Sequence, residues 1–132
     1  MTPPHLPTAA GDRGQARARR MIAQKYLEVA ELVSLEGGTT NNVCVGRAVL
    51  AGIAAGDAIC LMADGRRYSG SNHTEAAALL ERHHAESGRR LRKLIALKPG
   101  SHYGHGLISD AERDKALGWA RALVEHSARV TD

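Results

Sequence analysis

Three stretches of this 132-residue chain gather the side chains that phosphate chemistry uses. The first is Gly65-Arg66-Arg67-Tyr68-Ser69-Gly70-Ser71-Asn72-His73, which sets two guanidiniums, a phenol and an imidazole at the expected start of a helix. Arginine forks and a helix N-terminus both favour phosphate. The same residues also spell a solvated turn with a helix-capping segment. The second stretch is Arg89, Arg90, Arg92 and Lys93, with Arg82, His83 and His84 just upstream and Lys98 just downstream. On a nucleic-acid-binding protein such a stripe would contact phosphates and give salt-dependent affinity. A charged run is more often the wet face of an amphipathic helix. The third is Lys98-Pro-Gly-Ser-His102-Tyr103-Gly-His105. Cutting RNA without a metal needs a cation on the phosphate and a general acid or base that titrates near neutrality, as histidine does. Lys98, His102, Tyr103 and His105 contain those parts, and a plain loop is the competing reading.

Several chemistries are excluded or disfavoured. There is no Walker-type phosphate loop, no nucleophile elbow and no cysteine-histidine zinc spacing. His102 and His105 have no third ligand at a recognisable distance, so no metal and no cofactor are expected. Cys44 and Cys60 fall in one apolar stretch that reads as helix, where sixteen positions span about 24 Å, too far to bond to each other. Two thiols without a cysteine framework suit a reducing cytoplasm. The formal charge of +4 permits an anionic partner without requiring one.

The elements that must position these residues read as helices. Aromatic content is only 3%, with no Phe, so the core has to be built from Leu, Ile, Val, Met and much Ala. Such side chains suit closely packed helices better than sheets. Residues 1–15 hold three of the four prolines and read as a disordered leader without a signal peptide's apolar run. Residues 16–130 form one bundle. The first helix, over residues 16–36, carries an apolar face of Ile22, Tyr26, Val29, Ala30 and Val33. Gly37 and Gly38 stop it. Residues 43–63 are apolar nearly all round, which marks a central helix. Its Arg47 and Asp57 argue against a membrane span and are too far apart to pair with each other; an intrachain partner for Asp57 is the favoured reading. Gly46, Gly52 and Gly56 predict close approach by a neighbour.

A loop over residues 64–71 leads to a helix capped by Asn72 and Glu75. Ser87 and Gly88 bend that helix rather than break it. Pro99 and Gly100 end it, and a glycine-rich loop follows to Gly106. Ser109 and Glu112 form a capping box for the last helix, whose face is Ala116, Ala120, Leu123 and Val124, with Trp119 beside it. The expected fold class is therefore all-α, an up-and-down bundle of four to five helices.

Three segments in this order resemble the bacterial HEPN domain family. They are Tyr26-Leu-Glu-Val-Ala-Glu-Leu-Val on the first helix, residues 41–61 with Arg47 on the second, and Ile108-Ser-Asp-Ala-Glu followed by residues 116–124. The stretch Asp57-Ala-Ile-Cys-Leu-Met-Ala-Asp-Gly-Arg-Arg, followed by Asn72-His73, is similar to one branch of that family. The resemblance spans residues 16–128. It implies a bundle that often dimerises, in a family tied to toxin-antitoxin systems, phage defence and RNA cleavage. Active members place an Arg, four to six residues and a His near the end of the bundle, often with a Tyr two residues later. At that position Lys98 replaces the Arg, Tyr103 stands where the His would be, and His105 where the Tyr would be. Arg67 and His73 keep the spacing but lie on the earlier loop.

The resemblance thus implies a cytoplasmic homodimer with a degraded ribonuclease motif, which binds RNA, a nucleotide, a cognate antitoxin or the product of a neighbouring gene, away from any membrane. Arg66, Arg67, Arg89, Arg90, Arg92 and Lys93 are the nucleic-acid-binding candidates. An active ribonuclease toxin, using Lys98 or Arg67 for phosphate and His73, His102 or His105 for proton transfer, is the alternative. A structural subunit of a larger complex is a third.

Overall fold

The computed structural model describes residues 5–102 and 106–132, with side chains at all of these except 98–102. It is an all-α bundle, 77% helical, with one small sheet. In chain order the elements are β1 (Thr8–Ala10), α1 (Arg13–Val33), α2 (Thr40–Asp64), β2 (Arg66–Tyr68), α3 (His73–His83), α4 (Ala85–His102) and α5 (Asp110–Thr131).

The expected central helix is α2, which packs against all four other helices. By length and composition it could cross a membrane, yet 67% of its most apolar window is buried inside the bundle. Alanines line the contact with α1: Ala16, Ala23 and Ala30, seven residues apart, are fully buried. Their small side chains let α1 approach α2 closely. The face expected from Ile22 and Val29 is therefore displaced. Those two side chains are 41% and 39% exposed, and Tyr26, Leu27 and Val33 pack at the edge of the core instead.

Of the three glycines expected to permit close approach, two do. A Cβ on Gly52 would lie 2.8 Å from Leu94 Cδ1, and one on Gly56 would lie 3.2 Å from Leu80 Cδ2, whereas Gly46 has nothing within 4 Å. Leu80, Leu91, Leu94 and Leu123 are the large side chains sealed in this core. Each contributes roughly 1.5–3 kcal/mol through burial.

The leader expected over residues 1–15 is structured where it is described. Leu6 is buried, and β1 pairs antiparallel with β2 in the register Thr8↔Tyr68, Ala9↔Arg67, Ala10↔Arg66. Gly65, left-handed at φ 75°, closes α2 and accepts the Gly11 N–H at 2.9 Å. Within the loop expected over residues 64–71, Arg66–Tyr68 thus form a strand. α1 starts at Arg13 because Asp12 and Gln15 form a reciprocal capping box, both bonds 2.8 Å.

Two boundaries differ from expectation near α4. The chain breaks at His84, whose backbone is extended (φ −151°, ψ 101°), and not at Ser87–Gly88. Ser87 and Gly88 sit in the first turn of α4, where a Cβ on Gly88 would lie 2.6 Å from both Glu81 Cα and N. Only glycine lets the two helix backbones touch there. At the other end α4 runs past Pro99 and Gly100 to His102. A proline removes one N–H, and near a helix end that deletes a single main-chain bond.

Candidate functional site

The Arg67–His73 loop is held by its own side chains. Asn72 caps α3, its Oδ1 accepting from Thr74 N at 2.9 Å and Glu75 N at 3.4 Å. Glu75 does not return the bond; it accepts the Tyr68 hydroxyl at 2.8 Å, and that hydroxyl oxygen accepts Asn72 N–H at 2.9 Å. Burial and the Glu75 bond both push the phenol's pKa up, so it keeps its proton. The Arg66 side chain donates to Thr8 Oγ1 at 2.7 Å, stitching β2 to β1. Exposed Arg67 donates to the carbonyl of Tyr68 at 3.3 Å. His73 is the half-buried first residue of α3.

The basic stripe on α4 is largely engaged with the protein. Arg92 Nε bonds Glu81 at 2.8 Å, which holds the guanidinium's pKa up, and Arg90 lies 3.7 Å from Glu86. Lys93 Nζ stands 5.7 Å from the centre of the Trp119 ring, a cation-π contact. Arg89 is exposed. Three of the four cations thus tie α4 to its neighbours or to itself.

The side chains of Lys98 and His102, together with Tyr103 and His105, lie outside the described residues. The backbone flanking them is placed. Ile108 N–H bonds Asn42 Oδ1 at 3.0 Å and Ile108 O accepts from Asn41 at 3.0 Å, so Gly106–Ile108 lie at the start of α2. Arg67 follows its end. The 25 residues of α2 span about 37 Å. Within one chain, the loop carrying Arg67 and His73 and residues Gly106–Ile108 are therefore at opposite ends of the bundle.

Asp57 has the intrachain partner expected of it: Arg19 Nη2 lies 3.0 Å from its Oδ2. Burial pushes this carboxyl's pKa up, against the pull of Arg19 and, more weakly, Arg67. Arg47 is exposed. Both cysteines are buried and free. Burial raises the Cys44 thiol and pushes Cys60 up to about 12, which rules both out as thiolate nucleophiles near neutral pH. Among the described residues no group of three His, Cys, Asp or Glu side chains could hold a metal ion.

Two features escaped the sequence reading. On α1, Met21, Lys25, Glu28 and Leu32 share one face at helical spacing, with Met21 and Leu32 61% and 69% exposed. The signal was present in the spacing, but the alanine face opposite had no bulk to mark it as the core side. The second is a cavity where His83 and His84, which had looked like flanks of the basic run, meet His126. No family model and no curated protein matches the chain. The HEPN resemblance rests on the three sequence segments alone.

Proposed function

We propose that this chain is a HEPN-like helical module that self-associates through α1 and binds a nucleic-acid or protein partner rather than cutting RNA. The observation that carries the reading is the exposed stripe of α1. Lys25 and Glu28 form an ion pair at 2.7 Å between Met21 and Leu32. When two such helices pair antiparallel about a two-fold axis, residues whose numbers sum to 53 face each other. Met21 then meets Leu32, and Lys25 meets Glu28. A surface that is its own complement in shape and charge is what an isologous interface requires. Lys98 standing where the family's active members carry Arg, and Tyr103 where they carry His, supports binding over catalysis.

Sedimentation velocity tests the association. The wild-type protein is expected to be a dimer and Leu32→Glu a monomer with an unchanged circular dichroism spectrum. A wild-type monomer at all concentrations would remove the reading. Incubation with a panel of RNAs, beside Lys98→Ala and His105→Ala, tests the other half: cleavage lost in those variants would establish a ribonuclease.

Arg67–His73 and Gly106 lie at opposite ends of α2, which favours one form of the ribonuclease alternative. Antiparallel pairing of α1 sets the Arg67–His73 end of one subunit alongside the Gly106 end of its partner, so a cutting site would be composite. Such activity would disappear in Leu32→Glu along with the dimer.

A further inference from the structure

Beyond self-association, the bundle contains a cavity that neither the basic stripe nor the candidate loops use. It lies where the last turns of α2 and α5 meet the junction of α3 with α4, has a volume of about 220 Å³, and opens to solvent. Ile59, Met62, Ala63 and Val130 make its apolar wall; His83, His84 and His126 make the polar one. Three imidazoles on one small pocket are more than the fold needs, since a single one suffices to cap α4.

The Nδ1 atoms of His84 and His126 each face a donor, and His84 Nδ1 also lies 2.6 Å from Ser87 Oγ. His84 Nδ1 lies 3.2 Å from Ser87 N–H and accepts from it as the cap of α4. A nitrogen that accepts carries no proton, so the neutral ring has its hydrogen on Nε2. His126 Nδ1 lies 3.4 Å from an Arg129 guanidinium nitrogen, which can only donate, and the same tautomer follows. The two rings stack 3.9 Å apart and 12° from parallel. Each therefore keeps one Nε2–H for another acceptor. His83 is less available, with Nε2 3.5 Å from Asp64 Oδ2.

The charges around His126 also point to an anion. Burial holds its pKa below the ordinary imidazole value, and His84, Arg129 and Arg90 push it the same way, with Glu86 alone opposing. The polar wall is thus flanked by the cations Arg90 and Arg129, and the other wall is apolar. A cavity of about 150 Å³ accommodates a benzene ring, so this one has room for a ring and a small polar head.

We infer that the pocket binds a small organic carboxylate, its carboxylate on the Nε2–H groups of His84 and His126 and its apolar body against Ile59, Met62 and Val130. Binding favours the charged form of His126, because the carboxylate opposes Arg90 and Arg129. Protonating His126 puts a hydrogen on Nδ1 and so displaces the Arg129 contact there. Affinity therefore rises as pH falls from 7.5 to 6. The groups facing His126 that set this dependence are His84, Glu86 and Arg90 from α4 and its cap, and Arg129 from α5; Asp64 and His83 bound the far side.

Benzoate is a suitable probe, with benzamide as its neutral isostere and inorganic phosphate as an anion without an apolar body. In heteronuclear NMR titrations of the full chain, benzoate is expected to shift the His84 and His126 ring signals and the Met62 methyl, and to raise the pH midpoint of His126. Benzamide should bind roughly tenfold more weakly, the loss of a charge-assisted hydrogen bond. Ala63→Trp, at an exposed position, fills the pocket without touching the core and should abolish the shifts; His126→Leu should abolish them too. No shift at millimolar benzoate, equal binding of benzamide, phosphate binding as tightly as benzoate, or full binding by Ala63→Trp would each overturn the proposal.

Discussion

At the end of the bundle where α2 begins, Asn41 is 2% exposed, and its amide donates to Ile108 O at 3.0 Å and to Asp110 Oδ1 at 2.8 Å. Its carbonyl accepts from Arg113 at 3.0 Å, and the same guanidinium reaches Ser34 O at 3.2 Å and Asp114 at 2.9 Å. At the end where α2 finishes, His84 and His126 stack beside a cavity that both rings line. The first end satisfies its polar groups with one another and so fixes where α1, α2 and α5 meet. The second sets imidazoles on the wall of a cavity. Buried polar groups that are fully paired specify structure; those left over beside a cavity point to a ligand.

Substitutions can break or sharpen this contrast. Asn41→Ala should have the largest effect, about 3 kcal/mol of lost stability, because the buried Ile108 O loses its side-chain donor and Arg113 loses one of its acceptors; urea denaturation would measure it. Gly88→Ala should follow, at about 2 kcal/mol, since its Cβ meets the Glu81 backbone and forces α3 and α4 apart. His84→Ala removes only a cap and should cost about 1 kcal/mol. A cost from His84→Ala as large as that from Asn41→Ala would mean that the histidine end is structural after all. Arg92→Ala loses an exposed ion pair with Glu81 and should cost no more than about 0.5 kcal/mol.

The pH dependence separates the two ends differently. The folded pKa of His126 lies below its ordinary value of 6.5, so the unfolded chain binds more protons just below that pH. Stability is then present above about pH 6.5 and falls as pH drops toward the lower folded value. In His126→Leu that decline should be shallower, as thermal denaturation at pH 7.5 and 5.5 would show.

Much of the bundle was legible because the signals were local. The Ser109–Glu112 box forms as expected, with Ser109 Oγ accepting Glu112 N–H at 3.1 Å, and Asn72 caps α3. The all-round apolar run of residues 43–63 lies within the central helix α2. Asp12-Arg-Gly-Gln15 carries the same kind of capping signature but was hidden by the neighbouring prolines. The face of α1 was misjudged because three alanines, and not the larger Ile22 and Val29, face α2; hydrophobicity alone ranks them the other way. The break at His84 was illegible because an imidazole serves as the cap. The histidine cavity could not be read from spacing, since His126 stands 42 positions after His84 in the chain and meets it only once α4 and α5 have packed. The Arg67–His73 loop and the stretch leading to Gly106 looked like alternative parts of one site until α2 set Arg67 and Gly106 at its two ends.

The antiparallel pairing of α1 can be tested by disulfide trapping. Met21 and Leu32 lie on one helix, about 16 Å apart along its axis, so cysteines placed there cannot bond within a subunit. The double variant Met21→Cys/Leu32→Cys is expected to form a covalent dimer under mild oxidation, while neither single variant does. A double variant that stays monomeric on a non-reducing gel, or single variants that crosslink equally well, would contradict the interface on which the proposed function rests.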